Sequence, residues 1–217
     1  VQSLTHEMKS PLAAIRGAAE LLQEPLPEAD RQRFARSILE QQGRLTETID
    51  KLLALAEVEQ HGWLQRREPV ELGALLEEVA AAAEPSLASA GVELQLELPP
   101  QPLRANGDRF LLRQALTNLV DNALAFAPRG STVQLSLRVE AGQAVLRVLD
   151  RGPGVPDYAL ERVFERFYSL ARPDGRPRSS GLGLPFVREV GRLHGGQARL
   201  ANRDGGGAEA GLSLPLG

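Results

Sequence analysis

Apolar positions near the start of the chain fall alternately four and three residues apart: Leu4, Met8, Pro11, Ile15, Ala18 and Leu22. That spacing makes one seam along a helix face, so residues 2–24 read as a first helix. Pro25 and Pro27 interrupt it, and Asp30 can cap the next helix. From Arg31 to about Gln60 this second helix carries Phe34, Ile38, Leu45, Ile49, Leu52 and Ala56 at helical spacing. Two long amphipathic helices joined by a short loop make an antiparallel hairpin. A hairpin of this size buries too little surface alone, which predicts pairing into a four-helix-bundle dimer.

The pattern changes after His61-Gly62-Trp63. A linker over 63–69 leads to a helix over 70–90 with an alanine-rich face. Strict alternation from Val92 to Leu98 predicts a half-buried strand, with a short strand next near Leu103 to Ala105. Asp108 is placed to cap a helix reaching Phe126. Strands over 132–140 and 144–150 flank Ala141-Gly142, a helix covers 183–194, and strands over 197–202 and 208–214 close the sheet. The expected architecture is a helical hairpin over 1–62, the linker, and an α+β domain over 70–217 with a mixed sheet and helices on one face. Residues 151–181 hold Gly, Pro, Arg and Ser with one short helical patch, Tyr158 to Tyr168. An irregular stretch of that length in a compact domain reads as a functional lid.

Composition narrows the classes. A formal net charge of -3 argues against a nucleic-acid surface, and the absence of cysteine excludes a disulfide scaffold and a thiolate metal site. No apolar run approaches the roughly 20 residues of a membrane span. The chain starts at Val1 and its one methionine is Met8, so it reads as a piece of a longer protein whose membrane segments, if present, precede residue 1.

Several residue groups carry candidate chemistry. His6 lies roughly 200° round the helix from Leu4, at about 100° per residue, and so points away from the apolar seam. It is followed at once by Glu7, with Ser10 one turn on and the helix-bending Pro11 beside it. Asn118 and Asn122 are one turn apart on a half-buried helix; an amide oxygen can ligate Mg²⁺ without adding charge. Asp150-Arg151-Gly152-Pro153-Gly154 comes directly after a strand, where the carboxylate can accept a bond from an amino group. Ser180-Gly181-Leu182-Gly183 opens a helix whose free N–H groups favour phosphate.

In this order, the Asn pair, Asp-x-Gly-x-Gly, Phe164-x-x-Phe167 and Gly-x-Gly resemble the ATP-binding domain of sensor histidine kinases, which has the Bergerat fold. The His6-Glu7 hairpin resembles their dimerisation and phosphoacceptor domain. The resemblance covers essentially the whole chain. It implies a kinase core that uses ATP and Mg²⁺ to phosphorylate its own His6, with Glu7 as base or orienting group. It implies Asn122 as the Mg²⁺ ligand with Asn118 near the phosphates, and Asp150 as reader of the adenine amine. Phe126 and Tyr168 would border the nucleotide, Val155 and Leu182 would add apolar contact, and Gly152, Gly154, Gly181 and Gly183 would allow close approach. Phe164 and Phe167 would anchor the lid. The phosphoryl group would pass to an aspartate of a separate response-regulator receiver domain. Ser10 stands where relatives place a Thr or Asn that positions water for the reverse, phosphatase reaction. The resemblance also implies a homodimer, and the cytoplasmic part of an inner-membrane sensor.

Three positions depart from the family pattern. Ala125 and Ser169 stand where many relatives carry a cation, and Ser179 replaces the first glycine of the second glycine box. Arg166 is the expected substitute cation, ahead of Arg172, Arg176 and Arg178; its simpler role is a surface pair with Glu165 or Glu161. Two other classes compete: a Bergerat-fold ATPase that drives a clamp, and a degenerate kinase that serves as a scaffold.

Overall fold

The computed structural model describes the backbone of residues 2–61, 64, 66–173, 175 and 179–217, and the side chains of those residues except 2–7, 47 and 61. The chain divides into two compact units, 1–54 and 55–217.

Helix α1 spans Gln2–Leu21 and α2 spans Glu28–His61. In α1, Met8, Pro11, Ile15 and Leu22 just beyond it are half-buried and Ala18 is buried, while most residues between them are exposed, as the seam predicts. Helix α2 starts three residues earlier than expected. Pro27 O accepts the N–H groups of both Asp30 and Arg31 at 3.0 Å, so Asp30 sits inside the first turn and not at the cap. Its carboxylate still favours the positive end of the helix, and it pairs with Arg33 at 3.2 Å. Ala18 is the only buried apolar residue among the described residues of 1–54, whereas Leu12 and Leu39 stand exposed. The hairpin therefore has almost no core of its own.

The second unit begins with a strand that the pattern did not reveal. Strand β1 (Glu68–Glu71) pairs antiparallel with β3 (Arg104–Gly107) and buries Val70, where the sequence suggests linker and helix start. Helix α3 (Leu72–Ala90) starts behind Glu71, whose carboxylate accepts from Gly73 N and Ala74 N at 2.9 Å each. Helix α4 (Arg109–Phe126) starts behind Asp108 as expected, with Asp108 Oδ1 accepting from Phe110 N at 2.9 Å and Leu111 N at 3.1 Å.

The main sheet has the order β2-β4-β5-β7-β6, from strands Glu93–Glu97, Thr132–Glu140, Gln143–Leu149, Ala208–Pro215 and Gln197–Asn202 respectively. Strand β2 runs parallel to β4 and the other pairs are antiparallel, so the sheet is mixed. Alternate residues Val133, Leu135, Leu137, Leu146, Val148, Leu212 and Leu214 are buried, and helices α3, α4 and α6 (Gly183–Leu193) pack on the sheet. Each such side chain contributes about 1.5–3 kcal/mol when fully buried. The intervening positions of the other face carry Gln95, Gln134, Arg147 and Glu209.

Among the described residues of 151–181 regular structure shrinks to α5 (Asp157–Leu160), shorter than the expected patch. Phe167 takes a left-handed φ of 63°, which no helix tolerates. Among the described residues no helix is long and apolar enough to cross a membrane.

Candidate functional site

Helix α4 supplies two amides. Asn118 and Asn122 are half-buried, and neither makes a hydrogen bond to another described residue. Their polar atoms are still reached by solvent, and two free amides on one helix face are available to a ligand. Asn118 faces the start of α6: a methyl group on Gly183 would lie 3.3 Å from Asn118 Oδ1. Helix α6 has no side-chain cap at Leu182, so its first N–H groups remain available to an anion. The asparagine face and the second glycine box are thus brought together.

Asp150 ends β5 and is buried. Its Oδ1 accepts from Gly152 N at 2.7 Å and Ala208 N at 3.2 Å, while Oδ2 accepts from no described residue. One oxygen holds the turn and the other is left for a donor such as an amino group. The far end of α4 lies against the same turn, because a Cβ at Gly152 would come within 2.6 Å of Phe126 O. Val155 is held from both sides by Asn202: Val155 N donates to Asn202 Oδ1 and Asn202 Nδ2 donates to Val155 O, each at 2.7 Å. Gly207 is required here, since a side chain would meet Asp150 O at 2.1 Å.

The base of the lid is stapled. Phe167 N donates to Gly181 O at 2.8 Å, and Gly181 at φ 64° has no room for a Cβ, which would lie 2.6 Å from the Phe167 carbonyl carbon. Ser169 and Ser179 hydroxyls meet at 3.0 Å, so the two serines that depart from the family pattern bond to each other across the lid. Tyr168 is half-buried, with the Arg162 guanidinium 4.4 Å above its ring. Phe164 and Phe167 are only half-buried; the fully buried anchors are Ala159 and Val163.

Two expectations need correction. Leu182 is 1% exposed, so its side chain belongs to the core and does not offer an apolar surface to a ligand. Arg166 pairs neither with Glu165, which takes Arg162 at 3.2 Å, nor with Glu161; it is ion-paired with Glu59 near the end of α2, which opposes its use as a free phosphate cation. Arg172 has its Nε shielded from solvent with no acceptor. Arg176 and Arg178 lie outside the described residues.

His6 and Glu7 lie on α1, but their side chains are outside the described set; Ser10 is exposed one turn on. His194 is buried, with Nδ1 2.7 Å from Val190 O and Nε2 accepting from Asp108 N at 3.0 Å. It is a structural residue closed to a phosphoryl donor. Among the described residues no group of three His, Cys, Asp or Glu is arranged to hold a metal. A Mg²⁺ held by one amide plus substrate phosphates needs no such cluster.

Asn202, Arg203, Glu59 and the serine pair were missed in the sequence. Only Asn202 had a signal: it ends a strand ahead of the Gly205-Gly206-Gly207 turn.

A free amide facing an uncapped helix start, a second one turn along the same helix and a half-used carboxylate at the end of β5 make a nucleotide-type arrangement, joined in sequence to a histidine-bearing hairpin. Residues 107–217 match the histidine kinase-, DNA gyrase B- and HSP90-like ATPases, and residues 1–61 match the His Kinase A (phospho-acceptor) domain. The chain belongs to this family, as the catalytic core of a histidine kinase. Among particular relatives, it is 44% identical to the sensor protein CreC of Escherichia coli strain K12 over 99% of this chain and 44% of that protein. The chain thus spans less than half of that relative's length. Among solved structures, full-length ShkA in complex with AMPPNP superposes with a TM-score of 0.72 at 28% identity, over 99% of this chain and 45% of that one. Histidine kinase ThkA, in complex with the response regulator TrrA, superposes with a TM-score of 0.78 at 20% identity, over 99% of this chain and 60% of that one, and shows the fold.

Proposed function

We propose that this chain catalyses ATP- and Mg²⁺-dependent phosphorylation of its own His6 and then passes the phosphoryl group to an aspartate of a response-regulator receiver domain, of the CreB-like kind given its likeness to CreC. The observation that carries the reading is the unbonded amide of Asn118 set against the open N-terminus of α6, with the unbonded amide of Asn122 one turn further along α4. Functionally, 1–62 is the phosphoacceptor and dimerisation part, 63–69 the connection, and 70–217 the catalytic part.

The donor set fits the group it would hold. Asp150 Oδ2 takes the adenine amine, Phe126, Tyr168 and the Val155 backbone border the base, and the N–H groups from Gly181 to Gly183 meet the phosphates. Asn122 Oδ1 would hold Mg²⁺, with Asn118 beside it; when bound, the metal would spread charge over the phosphate oxygens. Glu7 accepts the proton-bearing nitrogen of His6, which leaves the other nitrogen free to attack. An N–P bond forms at the γ-phosphorus as its bond to the bridging oxygen breaks, and ADP leaves. Ser10 positions water for the phosphatase reaction. Arg172, with its unbonded Nε, is the better of the described lid arginines for phosphate charge, and Arg166 could serve only after leaving Glu59.

Two hairpins pair, because within residues 1–54 every described apolar residue except Ala18 is at least partly exposed. The test is incubation with γ-labelled ATP and Mg²⁺, then mapping of the modified residue. His6→Ala should carry no label yet bind Mg-AMPPNP as the parent does. Label kept by that variant refutes the assignment. Glu7→Gln should slow labelling by roughly 10²–10⁴.

A further inference from the structure

The sheet face turned away from the buried core holds a cavity of about 340 Å³, lined by Gln95, Ser131, Thr132, Gln134, Arg151 and Arg203. Strand register explains the grouping. Gln95 of β2 stands beside Gln134 of β4, which stands beside Leu149 of β5. Side chains alternate along β5 and into the turn, so Asp150 is buried and the next residue, Arg151, is exposed. The cavity and the Asp150 carboxylate lie on opposite faces of one strand end.

The lining carries two guanidinium groups and no carboxylate. Neither Arg151 nor Arg203 is ion-paired with a described residue, whereas other arginines of this face are: Arg138 with Glu97 at 3.0 Å, and Arg147 with Glu140 at 2.5 Å and Glu209 at 2.9 Å. Glu93, beside Thr132 in register, is exposed and does not line the cavity. Arg203 is fixed by Nη1 donating to Asp150 O at 2.7 Å, which leaves the rest of its fork. The amides of Gln95 and Gln134 and the Thr132 hydroxyl bond to no described residue, and Ser131 Oγ donates to Pro128 O at 2.6 Å. Positioned guanidinium groups with neutral donors around them complement an anion. No lining residue is aromatic or aliphatic, so a nucleobase or lipid chain would find no apolar surface, and the volume suits a small molecule.

We propose that this cavity is a second ligand site, separate from the nucleotide site, for a compact polyanion bearing phosphate or carboxylate groups. Its existence does not depend on the kinase reading above.

The test is NMR titration of the whole chain with inorganic phosphate and, separately, citrate at constant ionic strength. The side-chain amide signals of Gln95 and Gln134 should shift saturably. Arg151→Glu and Gln134→Glu should each weaken that binding at least tenfold, while Gln134→Glu keeps the parent response of the Asn118 and Asn122 amides to Mg-AMPPNP. Tighter phosphate binding assigns a phosphorylated ligand, and tighter citrate binding a polycarboxylate. Shifts that rise without saturation, which mean an adventitious ion only, overturn the proposal. So do shifts confined to Asn118, Asn122 and Gly183, or unchanged binding in both variants. A chain that ignores Mg-AMPPNP but binds the anion at Gln95 and Gln134 would sink the nucleotide reading and leave this one standing.

Discussion

His194 gives the sharpest physical prediction. It ends α6 and is 7% exposed, and its side chain hydrogen-bonds the residue that starts α4. Because Nε2 accepts from Asp108 N, Nδ1 must carry the proton that goes to Val190 O, and the ring is neutral. A second proton would have to sit on Nε2 and would abolish the bond from Asp108. Burial is the main cause that pushes the His194 pKa below its ordinary value; the Val190 carbonyl and Asp108 pull the other way, and Arg67 adds to the lowering. The folded pKa therefore lies below the unfolded value of about 6.5. Between the two, the unfolded chain binds more protons, so stability rises with pH. The contribution is complete above about pH 6.5 and is lost as pH falls towards the folded pKa. Its slope cannot exceed about 1.4 kcal/mol per pH unit, one proton's worth.

Replacing His194 by Leu leaves Asp108 N–H buried without its acceptor, while Val190 O keeps the bond from the backbone N of residue 194 at 3.1 Å. One orphaned donor costs about 1–3 kcal/mol. His194→Gln can place an amide oxygen near the Nε2 position and should recover part of that loss without titrating. Denaturant unfolding of 55–217, monitored from pH 5 to 8 in the parent and both variants, is the assay. The parent should lose stability below pH 6.5 more steeply than either variant. Equal slopes in all three chains would refute the argument, since the remaining groups would then carry the whole pH dependence.

Three further outcomes concern named positions. Ala141 and Gly142 form the two-residue turn of the β4–β5 hairpin with φ of 48° and 77°, so Ala141→Gly removes a left-handed alanine and should stabilise by about 0.5–1 kcal/mol, a rise of about 2–4 °C or less in melting temperature; an unchanged or lower value counts against it. Gly181→Ala forces a Cβ into the Phe167 backbone and should raise proteolysis of the lid with the core strands still protected in hydrogen exchange; an uncut lid would show the staple to be dispensable. Arg172→Ala should lower autophosphorylation efficiency about ten- to a hundredfold, the worth of a charge-assisted contact of about 1.5–3 kcal/mol, and more than Arg166→Ala does; the reverse order would return the role to Arg166.

Local signals carried most of the architecture. The 3.6-residue seam of α1, the alternation before Leu98, the Asp108 cap and the Ala141-Gly142 turn each act within a few residues, so periodicity and turn chemistry expose them. The features that stayed hidden are decided at long range. Strand β1 has four residues and exists because β3 pairs with it more than thirty positions on, as Val70 does with Ala105. The Arg166–Glu59 pair spans 107 positions and the Asp150–Arg203 bond 53. The candidate site divides in the same way. Its glycines, amides and carboxylate are adjacent in short motifs, and folding only had to bring Gly183 to Asn118 and Phe126 to Gly152.

The two lid serines test how far motif reading can go. Position by position, Ser169 and Ser179 look like losses, a cation and a glycine gone. In space they are one feature, two hydroxyls 3.0 Å apart, just outside the Phe167–Gly181 bond. A glycine at 179 would remove one partner, and an arginine at 169 would need room and an acceptor that a serine does not. The two departures are therefore coupled, and together they close the neck of the lid with a second bond beside the backbone one. On the proposed kinase reading, charge given up at 169 and 125 would come from within the loop that this neck closes. Arg172, three residues beyond Ser169 and with its Nε unbonded, is the described cation inside that loop.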